Sequence, residues 1–537
     1  MFRDAGLASS PHLTDEKFER KQTMSAFDVR DLLKAAGNPS QPNAVDTAHD
    51  GSAESAIPPA EIGAPRDHGG VLSPVVLSGS VRLADMALIA ILGFATHFVQ
   101  LRGVVALGWS YPAAILSVAG LAVALFQIFG SYRIAAFRTF FKPALRLTAA
   151  WSLTFLVVAT VMVFAKVADH YSRIWLALFY ALGLALLLAE RLVLLRFVTA
   201  RMLRGQFDRR TAIVGGGPLA EELIRALEAE SDAGIRIVGV FDDRGDNRSS
   251  SVIAGYPKLG TVSDLVDYAR STRLDLVVFT LPIAAEDRLL QMLAKLWVLP
   301  IDIRLSAKAT KLKLRPRAYS YLGSVPVLDV FDKPMADWDI VTKAIFDRVV
   351  GMAMLIVLAP VMLGLAIAVR LTSPGPILFR QKRLGFNNET IEVYKFRSMY
   401  ADQSDFTAAK QVTRGDPRVT PLGRFIRRTS LDELPQLFNV LKGELSLVGP
   451  RPHAVQAKTS TTLYDQVVDG YFARHKVKPG ITGWAQINGW RGETDTDEKI
   501  QRRVEHDLYY IENWSILFDV QIMLATPLSL VTTKNAY

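Results

Sequence analysis

Long apolar runs dominate the pattern of the first 200 residues. Four of them follow one another: Leu83–Leu101, Trp109–Phe129, Leu145–Ala165 and Ile174–Leu195. Each has about 20 residues, the length that a helix needs to cross the hydrocarbon core of a bilayer. We therefore predict a four-helix transmembrane bundle over residues 79–200. Four such runs in succession favour a membrane bundle over the buried helices of a soluble bundle.

The cations between these runs predict the orientation of the bundle. Arg133, Arg138, Lys142 and Arg146 lie between the second and third runs, and five arginines lie within residues 196–210. The outer loops are short and hold far fewer cations. Because basic loops stay on the cytoplasmic side, both ends of the bundle are predicted to face the cytoplasm.

The pattern changes over residues 205–330 to short apolar strands that alternate with helices. The first strand ends in a glycine-rich turn with Gly215 and Gly217, and the second ends at Asp242. This alternation predicts an α/β domain with a parallel, Rossmann-like sheet of the kind that binds CoA or nucleotides. Gly215, Gly217 and Asp242 are candidate nucleotide-binding residues. A tight strand-to-helix turn explains the same glycines without a ligand.

A fifth apolar segment, Val349–Val369, has Pro360 near its middle. Proline breaks the backbone hydrogen-bond ladder, and both flanks of the segment are basic. A crossing helix would place one basic flank outside, whereas a helix that bends and returns keeps both on the cytoplasmic side. We predict a re-entrant membrane helix over residues 343–371.

Composition supports a membrane protein and excludes some chemistry. Half of the residues are hydrophobic, the formal net charge is +10, and there is no cysteine, so disulfides and thiolate chemistry are excluded. Residues 1–78 have few aromatic residues and are expected to be a disordered cytoplasmic tail. A nucleic-acid partner is not expected, because no basic stripe with interleaved aromatic residues is present.

The candidate chemistry lies in the last third, around two adjacent carboxylates. Three arginines, Arg424, Arg427 and Arg428, lie shortly before Asp432 and Glu433. A structural explanation is a capping box, with Ser430 as the N-cap and Glu433 three residues later. The functional interpretation is an anion site at a helix start, with Asp432 kept ionised as a nucleophile and Glu433 as an oxygen ligand for a divalent cation.

Further cations stand in distinctive positions. Arg451 lies between Pro450 and Pro452, a setting that would fix its guanidinium for a phosphoryl group. Lys395 and Arg397 form a second basic group, within the segment Tyr394–Met399. A solvated basic face is the simpler explanation, but the turn residues around Arg451 argue against it for that residue.

Four motifs together identify a family. The segments are Lys395–Met399, Arg427–Gln436, Gly449–Pro452 and Arg474–Gln486. From about residue 343 onward the chain resembles the bacterial sugar transferases called monotopic polyprenyl-phosphate phosphoglycosyl transferases. With the bundle and the α/β domain, it resembles the large branch of undecaprenyl-phosphate glucose or galactose phosphotransferases. This implies a compact, mostly helical catalytic domain over residues 338–537.

The resemblance also implies a reaction. Asp432 would attack the β-phosphorus of a UDP-sugar, most simply UDP-glucose, and release UMP. Undecaprenyl phosphate would then take the phosphosugar and begin an exopolysaccharide, capsule or O-antigen unit. Glu433 would bind Mg²⁺, Arg427 and Arg451 would clamp phosphates, and Lys395, Arg397, Arg424 and Arg428 would assist. Expected partners are the two substrates, inner-membrane lipids and a second copy in a homodimer, with catalysis on the cytoplasmic face.

Two other classes of function remain open at this point. A nucleotide-gated membrane sensor would use residues 80–330 but leave the carboxylate and arginine clusters without a role. A membrane-bound nucleotide-sugar epimerase or dehydratase would need a complete second Rossmann domain with a Tyr-x-x-x-Lys pair, and the C-terminal third of the sequence lacks one.

Overall fold

The computed structural model describes residues 73–100, 109–203, 205–229, 234–244, 251–281, 286–307, 320–401, 416–453, 464–468, 470–492 and 496–532. Most of the predicted N-terminal tail therefore lies outside the described residues. The described part begins with a helix at Pro74, inside the segment expected to be disordered.

The four predicted membrane runs are all helices: α1 (Pro74–Gln100), α2 (Ser110–Ile128), α3 (Phe141–Phe164) and α4 (Arg173–Leu203). With a later helix, they are the five helices in the described residues that are long and apolar enough to cross a membrane. The bundle packs around buried aromatic residues, among them Trp151 and Trp175. A buried ion pair between Asp85 of α1 and Arg191 of α4 joins its first and last helices, at 2.5 Å.

The second unit is the predicted α/β domain. Its helices are α5 (Pro218–Glu228), α6 (Val262–Ser271) and α7 (Glu286–Leu296). Its strands are β1 (Arg209–Val214), β2 (Ile235–Phe241), β3 (Val252–Ile253), β4 (Tyr256–Gly260), β5 (Leu276–Phe279), β6 (Asp302–Ser306), β7 (Ser320–Leu322) and β8 (Val325–Phe331).

These strands form one sheet in the order β3-β4-β2-β1-β5-β6-β8-β7. The pairs of β1 with β2 and β5, of β2 with β4 and of β5 with β6 are parallel, as predicted. The pairs β3–β4, β6–β8 and β7–β8 are antiparallel. The sheet is therefore mixed and not wholly parallel, because the chain adds hairpins at both edges of a parallel core.

The fifth apolar helix, α8, spans Trp338–Thr372 and contains Pro360. It is a single helix through the proline, so the predicted return toward the cytoplasmic side stays a prediction. Its buried residues face the C-terminal domain, whereas apolar residues such as Ile356, Val357 and Leu371 are exposed. Both halves of α8 contact that domain: Asp347 accepts from the Leu447 backbone, and Val369 shares a core with Ile426.

The C-terminal domain is built from short elements packed on α8. They are the hairpin β9 (Leu378–Leu384) and β10 (Thr390–Phe396), α9 (Pro421–Arg428), α10 (Gln436–Lys442), β11 (Ser446–Val448), α11 (Tyr464–Val467), β12 (Gly480–Thr482), α12 (Trp484–Ile487), α13 (Asp497–Glu512) and α14 (Ile516–Thr532). The mostly helical character agrees with the prediction. A buried Lys343 ties α8 to α14 through Asp519, at 2.7 Å.

The α/β domain docks on the C-terminal domain near one 3-10 turn, Tyr471–Lys476. Arg270 at the end of α6 stacks over the Phe472 ring, and Trp297 after α7 lies under the ammonium group of Lys476. These contacts join the middle domain to the segment that supports the candidate site.

Candidate active site

The two candidate carboxylates lie in a single 3-10 turn, Leu431–Glu433, between α9 and α10. Ser430 precedes this turn with φ +58°, in the left-handed region, and its side chain caps no helix. The predicted capping box is therefore wrong: the Ser430 hydroxyl accepts from Arg491, and Glu433 turns toward other cations. This backbone directs both carboxylates into the domain, where Asp432 and Glu433 are buried.

Glu433 is held by two cations. Its Oε1 lies 2.8 Å from Lys395 Nζ and 2.6 Å from Arg451 Nη2, and its Oε2 accepts from Arg451 Nη1 at 3.3 Å. Burial alone would raise the pKa of Glu433. The charges and hydrogen bonds of Arg451 and Lys395 outweigh that effect and hold the pKa well below its usual range. Glu433 is therefore ionised at neutral pH.

Asp432 has a different environment. Among the residues that the structure describes, none donates a hydrogen bond to its carboxylate. Burial raises the pKa of Asp432 to about 6, against the opposing charges of Lys395 and Arg427. The cations alone predicted an ordinary or lowered pKa for Asp432, but burial is the larger effect. The group is still mostly ionised at pH 7, and its oxygens are not committed to another side chain, as a nucleophile requires.

Arg451 is placed by a turn whose backbone packs directly on another backbone. Gly449 donates to the Thr482 carbonyl and Gly480 donates to the Pro450 carbonyl, both at 2.9 Å. A Cβ atom on Gly483 would lie 2.3 Å from the Gly449 carbonyl oxygen, so only glycine permits this approach. The turn therefore fixes the arginine as its two prolines predicted, and the Arg474–Gln486 motif is its support.

The other predicted cations fall into three positions. Arg427, at the end of α9, acts on Asp432 through its charge, and its Nη1 is buried without a hydrogen-bond partner. Arg424 and Arg428 lie on the exposed side of the same helix. Arg397 is turned away from the carboxylates, because its guanidinium donates to the Ser373 carbonyl at 2.6 Å and the Pro374 carbonyl at 2.9 Å.

Two further arginines belong to the site, and the sequence did not single them out. Arg491 contacts Ser430, has a buried Nη1 with no partner, and interacts with both carboxylates through its charge. Arg383 of β9 donates to the Pro452 carbonyl at 3.2 Å and lies close enough to Arg451 for mutual repulsion. Arg491 stands between two glycines of positive φ, Gly489 and Gly492, and this was the available sequence signal.

The cluster carries an excess of positive charge. Its cations are Lys395, Arg383, Arg427, Arg451 and Arg491, and its carboxylates are Asp432 and Glu433. Buried like charges are unfavourable unless an anion joins them. The arrangement therefore suits a ligand with two or three negative charges, such as a diphosphate.

An apolar groove of about 1300 Å³ begins beside this cluster. It runs between α8 and the β9–β10 hairpin, and Leu363 and Phe396 line it. Phe396 adjoins Lys395, and Pro435, which also lines the groove, is two residues from Glu433. Arg380 and Lys382 supply the charged part of the lining. An apolar chain with an anionic end fits this combination.

The predicted magnesium ligand has suitable chemistry but is already engaged. Mg²⁺ prefers one or two carboxylates completed by substrate phosphate oxygens and water, and Asp432 and Glu433 offer such a pair. No group of three or more acidic or histidine side chains suited to a metal occurs in the described residues. An ion at Glu433 would share its oxygens with Lys395 and Arg451, and a diphosphate would have to complete its ligands.

In the middle domain, the glycine turn already has a polar partner within the same domain. Asp242 accepts from the Gly216 backbone at 2.9 Å and pairs with Arg244 at 2.7 Å. Gly215 and Gly217 both have positive φ. Asp242, the candidate nucleotide-binding carboxylate, is therefore a hydrogen-bond partner of the turn, and a nucleotide would have to compete with Arg244 for it.

Two known families match parts of this chain. Residues 338–533 match the family described as bacterial sugar transferase, and residues 127–307 match a CoA-binding domain. The second match includes α3 and α4 of the bundle.

Three relatives match over most of their length. A UDP-glucose:undecaprenyl-phosphate glucose-1-phosphate transferase of Xanthomonas campestris pv. campestris is 34% identical over 80% of this chain and 88% of its own. A protein of the same name from Escherichia coli K12 is 35% identical over 80% and 91%. An undecaprenyl-phosphate glucose phosphotransferase of Komagataeibacter xylinus is 40% identical over 66% and 65%.

Proposed function

Since this chain belongs to the bacterial sugar transferase family, we propose that it transfers glucose-1-phosphate from UDP-glucose to undecaprenyl phosphate and releases UMP. The observation that carries this proposal is the buried Asp432–Glu433 pair, which is enclosed by cations and opens beside an apolar groove. Neither the sensor nor the epimerase alternative has a use for this combination.

The first step forms a covalent intermediate. An oxygen of Asp432 attacks the β-phosphorus of UDP-glucose, the bond from that phosphorus to the bridging oxygen breaks, and UMP leaves with that oxygen. The phosphosugar remains on the aspartate. Arg427, Arg451 and Arg491 lie around the carboxylates, where they neutralise the charge that grows on the leaving phosphate and on the transferring group.

The second step regenerates the enzyme. A phosphate oxygen of undecaprenyl phosphate attacks the same phosphorus, the bond to Asp432 breaks, and the product is undecaprenyl diphosphate glucose. One phosphoanhydride replaces another over the two steps, so positioning and the exclusion of water are the main requirements. The apolar groove beside α8 has the volume and the apolar lining to hold the first isoprene units near the carboxylates.

We propose that Glu433 holds Mg²⁺ together with the diphosphate of the donor. The ion would supply positive charge at the phosphate oxygens. The lowered pKa of Glu433 keeps a hard anionic oxygen available at neutral pH. Lys395 then serves to orient Glu433 and to neutralise Asp432. The contacts of Arg397 argue for a structural role. The roles of Arg424 and Arg428 in phosphate binding stay predictions.

We place the protein in the bacterial inner membrane with its catalytic domain on the cytoplasmic face. A straight 35-residue helix is about 52 Å long, yet both halves of α8 pack on the same domain. A crossing helix would carry one half away from it, so these contacts support a helix that enters and stays on one side. In the parallel core of the middle domain, the order of the strands along the chain reverses at β1, and this supports a Rossmann-like unit. The homodimer stays a prediction.

The full-length protein in lipid nanodiscs tests the proposal. UDP-glucose and undecaprenyl phosphate should give UMP, and UDP-glucose labelled in the β-phosphate should label the protein when the acceptor is omitted. Asp432→Asn should abolish both signals. Asp497→Asn, which makes the same change at an exposed site of α13, is the control and should keep them. Substantial turnover by Asp432→Asn would refute the assignment of the nucleophile.

A further inference from the structure

Arg491 is held from behind by a second arginine that does not face the carboxylates. Arg503 of α13 donates from Nε to the Trp490 carbonyl at 2.9 Å and from Nη2 to the Gly492 carbonyl at 3.0 Å. These two carbonyls lie on either side of Arg491. One buried guanidinium therefore holds the backbone on both sides of the residue whose side chain enters the site, at the carbonyls of residues 490 and 492.

Arg451 has a support of the same kind. Arg474 donates from Nη2 to the Arg451 carbonyl at 2.8 Å, and it pairs with Asp507 of α13 at 2.6 Å. Arg474 is fully buried. Arg451 and Arg491 are thus each anchored through their backbone by an arginine behind them.

A histidine lies between the two anchoring arginines. His453 is within 3.0 Å of Arg474 Nη1, and its Nε2 lies 3.5 Å from Arg503 Nη1. Burial, with the charges of Arg474 and Arg503, holds the pKa of His453 well below its usual range. The ring is therefore neutral, and it places an uncharged group between two guanidinium groups. Asp507 is the carboxylate that partly balances them.

We propose that Arg503 is a positioning residue for the transfer reaction, which fixes the loop at residues 490–492 so that Arg491 serves as a phosphate-binding arginine opposite Arg451. This inference rests on the proposed function, because it assigns Arg491 to the phosphates of that reaction. Arg503 itself contacts no substrate.

The chemistry of the side chain explains why arginine is needed at this position. Its planar fork presents several donors at fixed angles, so it can bind two carbonyls that face it from one loop. Lysine has a single ammonium on a flexible stem and would leave one of the two carbonyls without its partner. The loop would then gain freedom, and Arg491 would spend less time in the site.

A double-mutant cycle on the full-length protein in nanodiscs tests this inference, with kcat/KM for UDP-glucose measured by UMP release. Arg491→Ala removes a hydrogen bond to a charged group, and we expect a loss of about 10- to 100-fold. Arg503→Lys should lose about as much in the wild-type background. In the Arg491→Ala background it should cause less than about a twofold further loss, because the group that it positions is absent.

The neighbouring Arg502, exposed and paired with Glu505, provides the matched control, and Arg502→Lys should leave kcat/KM unchanged. If Arg503→Lys does not yield folded protein, Arg503→Gln enters the same cycle, since its amide still donates to one carbonyl. Equal losses from the Arg503 change in both backgrounds would show a general structural role and overturn the inference. Full activity of the Arg503 variant would also overturn it. UMP release by the wild type separates either result from a failure of the proposed function.

Discussion

The raised pKa of Asp432 predicts an acid limit to the first step of the reaction. Only the ionised carboxylate is a nucleophile, and burial sets its pKa at about 6. The ionised fraction is then about 9% at pH 5 and about 91% at pH 7, so kcat/KM for UDP-glucose should rise about tenfold between them. An aspartate with an ordinary pKa would be about 94% ionised at pH 5 and would give a nearly flat profile.

The cause of the shift can be tested in the same assay. Lys395 is the strongest of the charges that lower the pKa of Asp432. Lys395→Met should therefore move the midpoint of the acid limb above pH 6, in addition to any loss of rate. Lys442→Met, on the exposed side of α10, is the control and should leave the midpoint in place. A flat wild-type profile between pH 5 and 7, or a midpoint that does not move in the Lys395 variant, would refute the reasoning.

Three further outcomes are expected. Because the folded-state pKa of Asp432 is about two units above its ordinary value, its ionised form costs about 3 kcal/mol of stability above pH 6. Asp432→Asn should raise Tm at pH 7.5, and the gain should shrink at pH 5, as thermal unfolding would reveal. Gly483→Ala adds a Cβ that would collide with the Gly449 carbonyl, so it should lower Tm and cut UMP release at least tenfold. Gly364 has open space around it, so Gly364→Ala is the control and should leave UMP release unchanged. Removal of Mg²⁺ with EDTA should stop UMP release until Mg²⁺ is restored, and Glu433→Gln should lose that response; wild-type turnover in EDTA would contradict the magnesium assignment.

Much of the fold was predictable because its signals are local. Apolar runs of membrane length and the alternation of strands and helices depend on neighbouring residues only, and both predictions were confirmed. The antiparallel edge strands were not predictable, since the side of a sheet that a hairpin joins depends on long-range pairing. Pro360 illustrates the opposite difficulty. A proline inside a helix predicts a break in the backbone hydrogen bonds from the local sequence alone. Yet α8 continues through Pro360.

The site was predictable where a motif itself carries the chemistry. Asp432, Glu433 and Arg451 come together as expected, but Ser430 did not cap a helix, because its left-handed backbone starts a 3-10 turn instead. Arg397 was grouped with Lys395 by sequence alone. It follows the last residue of β10, so the strand no longer fixes its direction, and its guanidinium binds the carbonyls at the end of α8.

The apolar groove beside α8 also governs how a lipid substrate would arrive. One of its walls is α8, which also exposes apolar residues outside the groove, among them Ile356 and Val357. A carrier molecule could therefore slide into place from within its own leaflet, with its tail never exposed to water, and depart by the same lateral route once loaded. Successive enzymes acting on that carrier would then encounter it by two-dimensional diffusion, and the rate of supply would depend on carrier density in the leaflet and not on bulk concentration.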